Sequence, residues 1–188
     1  MTLANRLTML RVVLAVAVFA ALLSDDARWH DAALVLFIAA IITDWLDGWL
    51  ARRMKAVSPF GKVADPIADK ILVLGTLIAL IQTKELAIPL WAVFLMVIRE
   101  LVIGGVRVIA GAQGKVLAAD RWGKIKTAVQ LVAVLLMLGV VVLRDRNAAA
   151  DWMIRSVYPM TVFCAVLSLS SLWSYLIQYR DMLVKSWS

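Results

Sequence analysis

Cysteine and histidine are nearly missing: Cys164 and His30 are the only residues of their kinds in 188. A lone cysteine excludes an internal disulfide, and the apolar neighbours of Cys164 fit plain packing. One histidine and one cysteine also leave zinc without its usual ligands. His30 falls in a polar connection, residues 24–31, and is expected to be a solvated loop residue. No segment alternates with period two, which argues against a β-barrel. No internal repeat and no low-complexity tract interrupts the chain. Acids are the scarcer charge, 13 against 20 Lys and Arg, for a net +7.

What remains is apolar. Hydrophobic residues make up 63% of the chain, with a mean hydropathy of +0.88. Ordinary soluble domains are nearer half apolar, and a soluble fold of this composition would leave large apolar patches in water. Six segments approach the roughly 20 apolar residues that a membrane helix needs: 7–23, 32–50, 66–82, 88–110, 125–143 and 153–177. The first has no clear small-residue cleavage site after it, so it reads as a retained helix rather than a signal peptide. The expected class is an all-α integral membrane protein, a six-helix transmembrane bundle forming one domain over 1–188.

The basic residues lie between these segments rather than in one patch, so nucleic acid is not an expected partner. Arg52, Arg53, Lys55 and Lys62 follow the second segment, and Lys115, Arg121 and Lys124 follow the fourth. With Arg6 at the start and Arg180 and Lys185 at the end, they share one side of a six-span chain. The excess of Lys and Arg in cytoplasmic connections then places both termini in the cytoplasm. Trp29, Trp91 and Trp152 lie near segment ends, where indole rings favour the membrane interface.

Four aspartates break this pattern. Asp44 and Asp47 sit inside the apolar second segment, and Asp65 and Asp69 open the third. An ionised side chain at bilayer depth costs roughly 2.5–3.5 kcal/mol even on lenient scales, so four together need positive charge and access to water. Asp44 and Asp47, three apart, share a helix face with Gly48 and Ala51, and Asp65 and Asp69 share another. Pro66 suits a first helical turn, so Asp65 is expected to cap the third helix. The short connection brings both pairs together. Carboxylates alone select hard cations such as Mg²⁺ or Mn²⁺, and four can hold two ions, a recurring arrangement in phosphoryl chemistry. The acids by themselves leave open an ion-coupled transporter with proton or ion sites, or structural ion pairing.

The run Asp44-x2-Asp47-Gly48-x2-Ala51-Arg52-x8-Gly61-x3-Asp65-x3-Asp69 resembles the full signature of the CDP-alcohol phosphatidyltransferase family, with all eight fixed identities at their spacing. Outside it, Asn5-x2-Thr8-x2-Arg11, Asp65-Pro66-x-Ala68-Asp69-Lys70, Arg99-Glu100 with Arg107, and Gly123-Lys124-Ile125-Lys126-Thr127-x2-Gln130 resemble the branch that makes phosphatidylglycerophosphate. Gly104 departs from it, standing where many relatives carry Ser or Thr. The sixth segment carries no motif.

The resemblance implies a six-helix bundle in the bacterial-type inner membrane, commonly a homodimer, with its site open to the cytoplasm. It implies CDP-diacylglycerol as donor and glycerol 3-phosphate as acceptor. Asp44, Asp47, Asp65 and Asp69 are implied metal ligands for two Mg²⁺ or Mn²⁺ ions, and Asp69 is the implied catalytic base. Thr8, Arg11, Gly48, Arg52, Ser58 and Gly61 are implied donor contacts. Arg99, Arg107, Lys124 and Lys126 are assigned to the anionic acceptor, with Arg99 able to pair instead with Glu100 or an active-site aspartate. Sibling enzymes using inositol phosphate, serine or phosphatidylglycerol share the signature. An all-oxygen ligand set predicts that exhaustive chelation abolishes activity and that added Mg²⁺ or Mn²⁺ restores it; full turnover in chelator would contradict this.

Overall fold

A computed structural model describes residues 3–54, 59–113 and 121–185. Within these it describes the side chains of 7–46, 67–111, 113, 123, 125–180 and 182. The described residues form six α-helices and no strand: α1 (Leu3–Leu22), α2 (Ala27–Met54), α3 (Pro59–Leu80), α4 (Leu90–Ala112), α5 (Arg121–Asp145) and α6 (Asp151–Lys185). A 3-10 turn, Lys84–Leu86, precedes α4. The expected all-α class is therefore met.

Among the described residues, three helices hold stretches long and apolar enough to cross a membrane: Ala27–Leu46, Ile125–Asp145 and Asp151–Arg180. Leu7–Leu22 is a shorter apolar stretch. In α4 the charges of Arg99, Glu100 and Arg107 interrupt the apolar run. Large apolar side chains lie exposed along the helices, among them Val35, Phe94, Leu101, Val108, Leu136 and Trp173. That outer surface matches lipid rather than water. Trp29, Trp91 and Trp152 are exposed in the first turns of α2, α4 and α6.

The chain divides into two compact units, 1–88 with 134–157, and 89–133 with 158–188. In unit 1, α1 packs on both α2 and α3. Thr8, Arg11, Ala15, Val18 and Leu22 recur every three or four residues on α1, and all are buried. Ala33, Phe37 and Ala40 form the matching stripe of α2, and Asp44 is its next position. In unit 2, Met96, Arg99, Glu100, Ile103, Val106 and Ala110 form the buried stripe of α4.

Helix starts differ from expectation in two places. α3 begins at Pro59, not near Pro66. Pro59 takes the first-turn position that suits a proline, so Asp65 is not the cap and Pro66 lies inside the helix, where it lacks an N–H to donate. α2 begins at Ala27, and the Arg28 N–H donates to Asp26 Oδ1 at 3.0 Å, which makes Asp26 the cap.

His30 is consequently helical and only 5% exposed, rather than a solvated loop residue. Its Nδ1 lies 2.5 Å from Asp145 Oδ2. Arg144 extends the cluster by donating to Asp145 Oδ1 and, at 2.8 Å, to Glu85. Arg146 donates to both carboxylate oxygens of Asp31 at 3.0 Å. These contacts tie the start of α2 and the turn before α4 to the end of α5. His30→Ala is expected to destabilise the protein by about 1.5–3 kcal/mol, the range for a hydrogen bond to a charged group. The thermal midpoint should fall by about 2–4 °C for each kcal/mol. A melt in detergent checks this, and an unchanged midpoint would mean the contact contributes nothing.

Candidate active site

Unit 1 carries the acids. Asp44 prolongs the buried stripe of α2, and there its carboxylate meets α1: Arg11 Nη2 lies 2.8 Å from Asp44 Oδ1. Arg11 is 1% exposed while the Asp44 side chain is 54% exposed. The pair therefore joins a buried cation to a carboxylate that solvent and ligands can reach. Thr8, one turn before Arg11, is also buried. Asp69 is half-buried beside the fully buried Ala68. Asp47, Gly48, Arg52, Gly61 and Asp65 lie on α2 and α3, but their side chains fall outside the described residues, as does Ser58 altogether.

Among the described residues no three His, Cys, Asp or Glu side chains gather to hold an ion, and two of the four signature aspartates lie outside that set. The accessible oxygen-only donor at Asp44 fits a hard divalent cation. Arg11 supplies one of the counter-charges that a cluster of acids requires.

Unit 2 carries buried cations. Arg99 is 6% exposed and Lys126 is 3% exposed. Both meet Glu100: Arg99 Nη1 donates to Glu100 Oε1 at 2.8 Å, and Lys126 Nζ donates to the same oxygen. Arg99 Nη2 donates to Ser171 Oγ at 2.7 Å, which brings in α6. One turn along α5 from Lys126, Gln130 Nε2 donates to Met96 Sδ at 3.0 Å. Arg107 lies about two turns beyond Arg99 on α4 and is exposed. A Cβ added at Gly104, between them, would meet nothing within 4 Å. The Lys124 side chain lies outside the described residues.

Arg99 and Lys126 are thus brought together, and of the two pairings open to Arg99, Glu100 is the one formed. Residues that sequence reasoning passed over are those of α6. Ser168, Ser171 and Tyr175 are buried polar residues on one face of an apolar helix. Their spacing of three and four was the available signal. Cys164 is buried without a disulfide, as its surroundings suggested.

Glu100 stands between two buried cations, so its removal should matter most. Taking away one partner of a buried ion pair typically costs about 3–5 kcal/mol. Glu100→Ala is expected to fall in that range. Lys126→Ala, which leaves Arg99 with its carboxylate, should cost distinctly less. Comparative unfolding in detergent checks this, and equal losses would contradict the arrangement.

Comparison with known proteins supplies the family. The family described as CDP-alcohol phosphatidyltransferase matches residues 1–167. A Bacillus subtilis protein named CDP-diacylglycerol–glycerol-3-phosphate 3-phosphatidyltransferase is 38% identical over 147 residues, covering 71% of this chain and 75% of that one. An Arabidopsis thaliana chloroplastic/mitochondrial protein of the same name is 38% identical over 198 residues, 98% of this chain and 65% of its own length. A rice protein named cardiolipin synthase (CMP-forming) is 37% identical over 164 residues, 80% of this chain and 49% of that one. The match over 1–167 includes the four signature aspartates and Arg99, Glu100 and Lys126, and the chain belongs to the CDP-alcohol phosphatidyltransferase family.

Proposed function

We propose that this chain transfers the phosphatidyl group of CDP-diacylglycerol to glycerol 3-phosphate, giving phosphatidylglycerophosphate and CMP. The observation that carries this reading is the similarity to relatives of that named activity, together with the family match over residues 1–167. The donor's acyl chains stay in the bilayer, and its nucleotide head lies at the acidic ends of α2 and α3. The chain acts as one catalytic domain and pairs as a homodimer, with both termini and the site on the cytoplasmic face. The charge of the connecting segments supports that orientation.

Asp44, Asp47, Asp65 and Asp69 would hold two Mg²⁺ or Mn²⁺ ions, which when bound screen the pyrophosphate oxygens and the departing phosphate. Arg11 keeps Asp44 paired and oriented, and Thr8 lies beside it toward the donor. Gly48 and Gly61 leave room for the nucleotide. Arg52 and Ser58 bind donor oxygens, a task for which a guanidinium suits phosphate. Asp69 takes the proton from the acceptor hydroxyl. The freed oxygen bonds to the phosphorus that carries diacylglycerol, the bond from that phosphorus to the bridging oxygen breaks, and CMP leaves with the electron pair. Arg99, Arg107, Lys124 and Lys126 receive the acceptor's phosphate. The cations Arg99 and Lys126 gathered at Glu100, with Arg107 exposed on α4, support an anionic acceptor.

The similarity to a cardiolipin synthase favours a second reading, in which the acceptor is phosphatidylglycerol. CMP release measured with CDP-diacylglycerol and each alcohol in turn separates the two. Glycerol 3-phosphate is expected to give the fastest release, and release only with phosphatidylglycerol would overturn the primary reading. Asp69→Asn is expected to abolish release while the purified protein still binds donor. Near wild-type turnover in that variant would remove Asp69 as the base.

A further inference from the structure

From Tyr158 onward α6 lies in unit 2 beside α4, and the seam between them is polar where both helices are otherwise apolar. Ser168, Ser171 and Tyr175 recur at intervals of three and four, within about 60° of one another around the helix. They are buried, at 0%, 5% and 3% exposure. The Ser171 hydroxyl accepts from Arg99 Nη2 at 2.7 Å. The two helices run in the same direction here. One apolar cluster joins Ile103, Val106 and Ala110 of α4 to Tyr175 and Met182 of α6, further along both helices than Arg99 and Ser171. The seam therefore extends for several turns.

Three buried polar atoms of this seam lack a hydrogen-bond partner among the described residues: Arg99 Nε, Ser168 Oγ and Tyr175 OH. Such atoms are uncommon in native proteins and call for an explanation. The Arg99 fork explains part of it. Glu100 holds Nη1 and Ser171 holds Nη2, so the guanidinium is fixed from two sides and its Nε–H is left available. A guest with anionic oxygens and hydroxyls can accept from that N–H and can pair with hydroxyls that both donate and accept. An apolar guest can do neither.

We propose that this α4–α6 seam is part of the acceptor site, that Ser171 is a positioning residue aiming Arg99, and that Ser168 and Tyr175 meet the hydroxyl-bearing part of a phosphorylated polyol. The proposal rests on the phosphatidyl-transfer reading above. α6 thereby gains a role in acceptor choice.

Steady-state CMP release by the purified full chain tests it, with CDP-diacylglycerol and glycerol 3-phosphate varied separately. Ser171→Ala is expected to raise the acceptor KM about tenfold, the effect of one charge-assisted hydrogen bond. Its donor KM and kcat should stay near wild type. Ser171→Thr, which keeps the hydroxyl, should restore the acceptor KM. Ser168→Ala and Tyr175→Phe should each raise the acceptor KM by about threefold or more. Unchanged acceptor KM in all three hydroxyl deletions overturns the proposal. So does a parallel rise in both KM values with a lowered melting temperature, the mark of a merely structural role. If wild-type protein instead uses a different alcohol, the glycerol 3-phosphate reading fails by itself, and the same KM comparison with that alcohol decides the seam. Absence of CMP release with every alcohol overturns both.

Discussion

An ionised side chain inside an apolar helix must meet an opposite charge or water, and this requirement orders the chain. Arg11 of α1 rests on Asp44 of α2. Lys126 of α5 and Arg99 of α4 share Glu100. His30 of α2 rests on Asp145 of α5. Each cluster joins at least two helices. In lipid, apolar helix faces gain little from meeting one another, so small residues and polar contacts specify which helices pair and in what register. The ionic contacts here act as pins along otherwise interchangeable apolar surfaces.

The pins also distribute charge for chemistry. At Asp44 the buried member is the cation and the open member is the carboxylate, so negative charge faces outward. At Glu100 two buried cations meet one carboxylate oxygen. An acid-bearing region suits cations and the pyrophosphate they accompany. A cation-bearing region suits an anionic acceptor. The two compact units of the chain each carry one of these.

Much of this was legible before any coordinates. Aspartates in an apolar segment are too costly to be incidental, so Asp44, Asp47, Asp65 and Asp69 stood out at once. Arg99-Glu100 stands out through its resemblance to a family motif, and the two side chains pair. The start of α3 was misplaced because two prolines, Pro59 and Pro66, can each open a helix, and local preference does not rank them. His30 was misplaced because its partner, Asp145, lies 115 residues away, beyond the reach of local pattern. The hydroxyls of α6 passed unnoticed because serine and tyrosine are common in membrane helices. They gain meaning only once Arg99 is seen to donate to one of them, Ser171.

The central claim is that the acids of α2 and α3 are kept inside an apolar protein because they converge on divalent cations. The most direct test is anomalous diffraction from crystals of the protein grown in lipid with Mn²⁺. The account predicts two manganese peaks bridged by the carboxylates of Asp44, Asp47, Asp65 and Asp69. Four carboxylates turned toward separate surfaces, with no manganese between them, would contradict it.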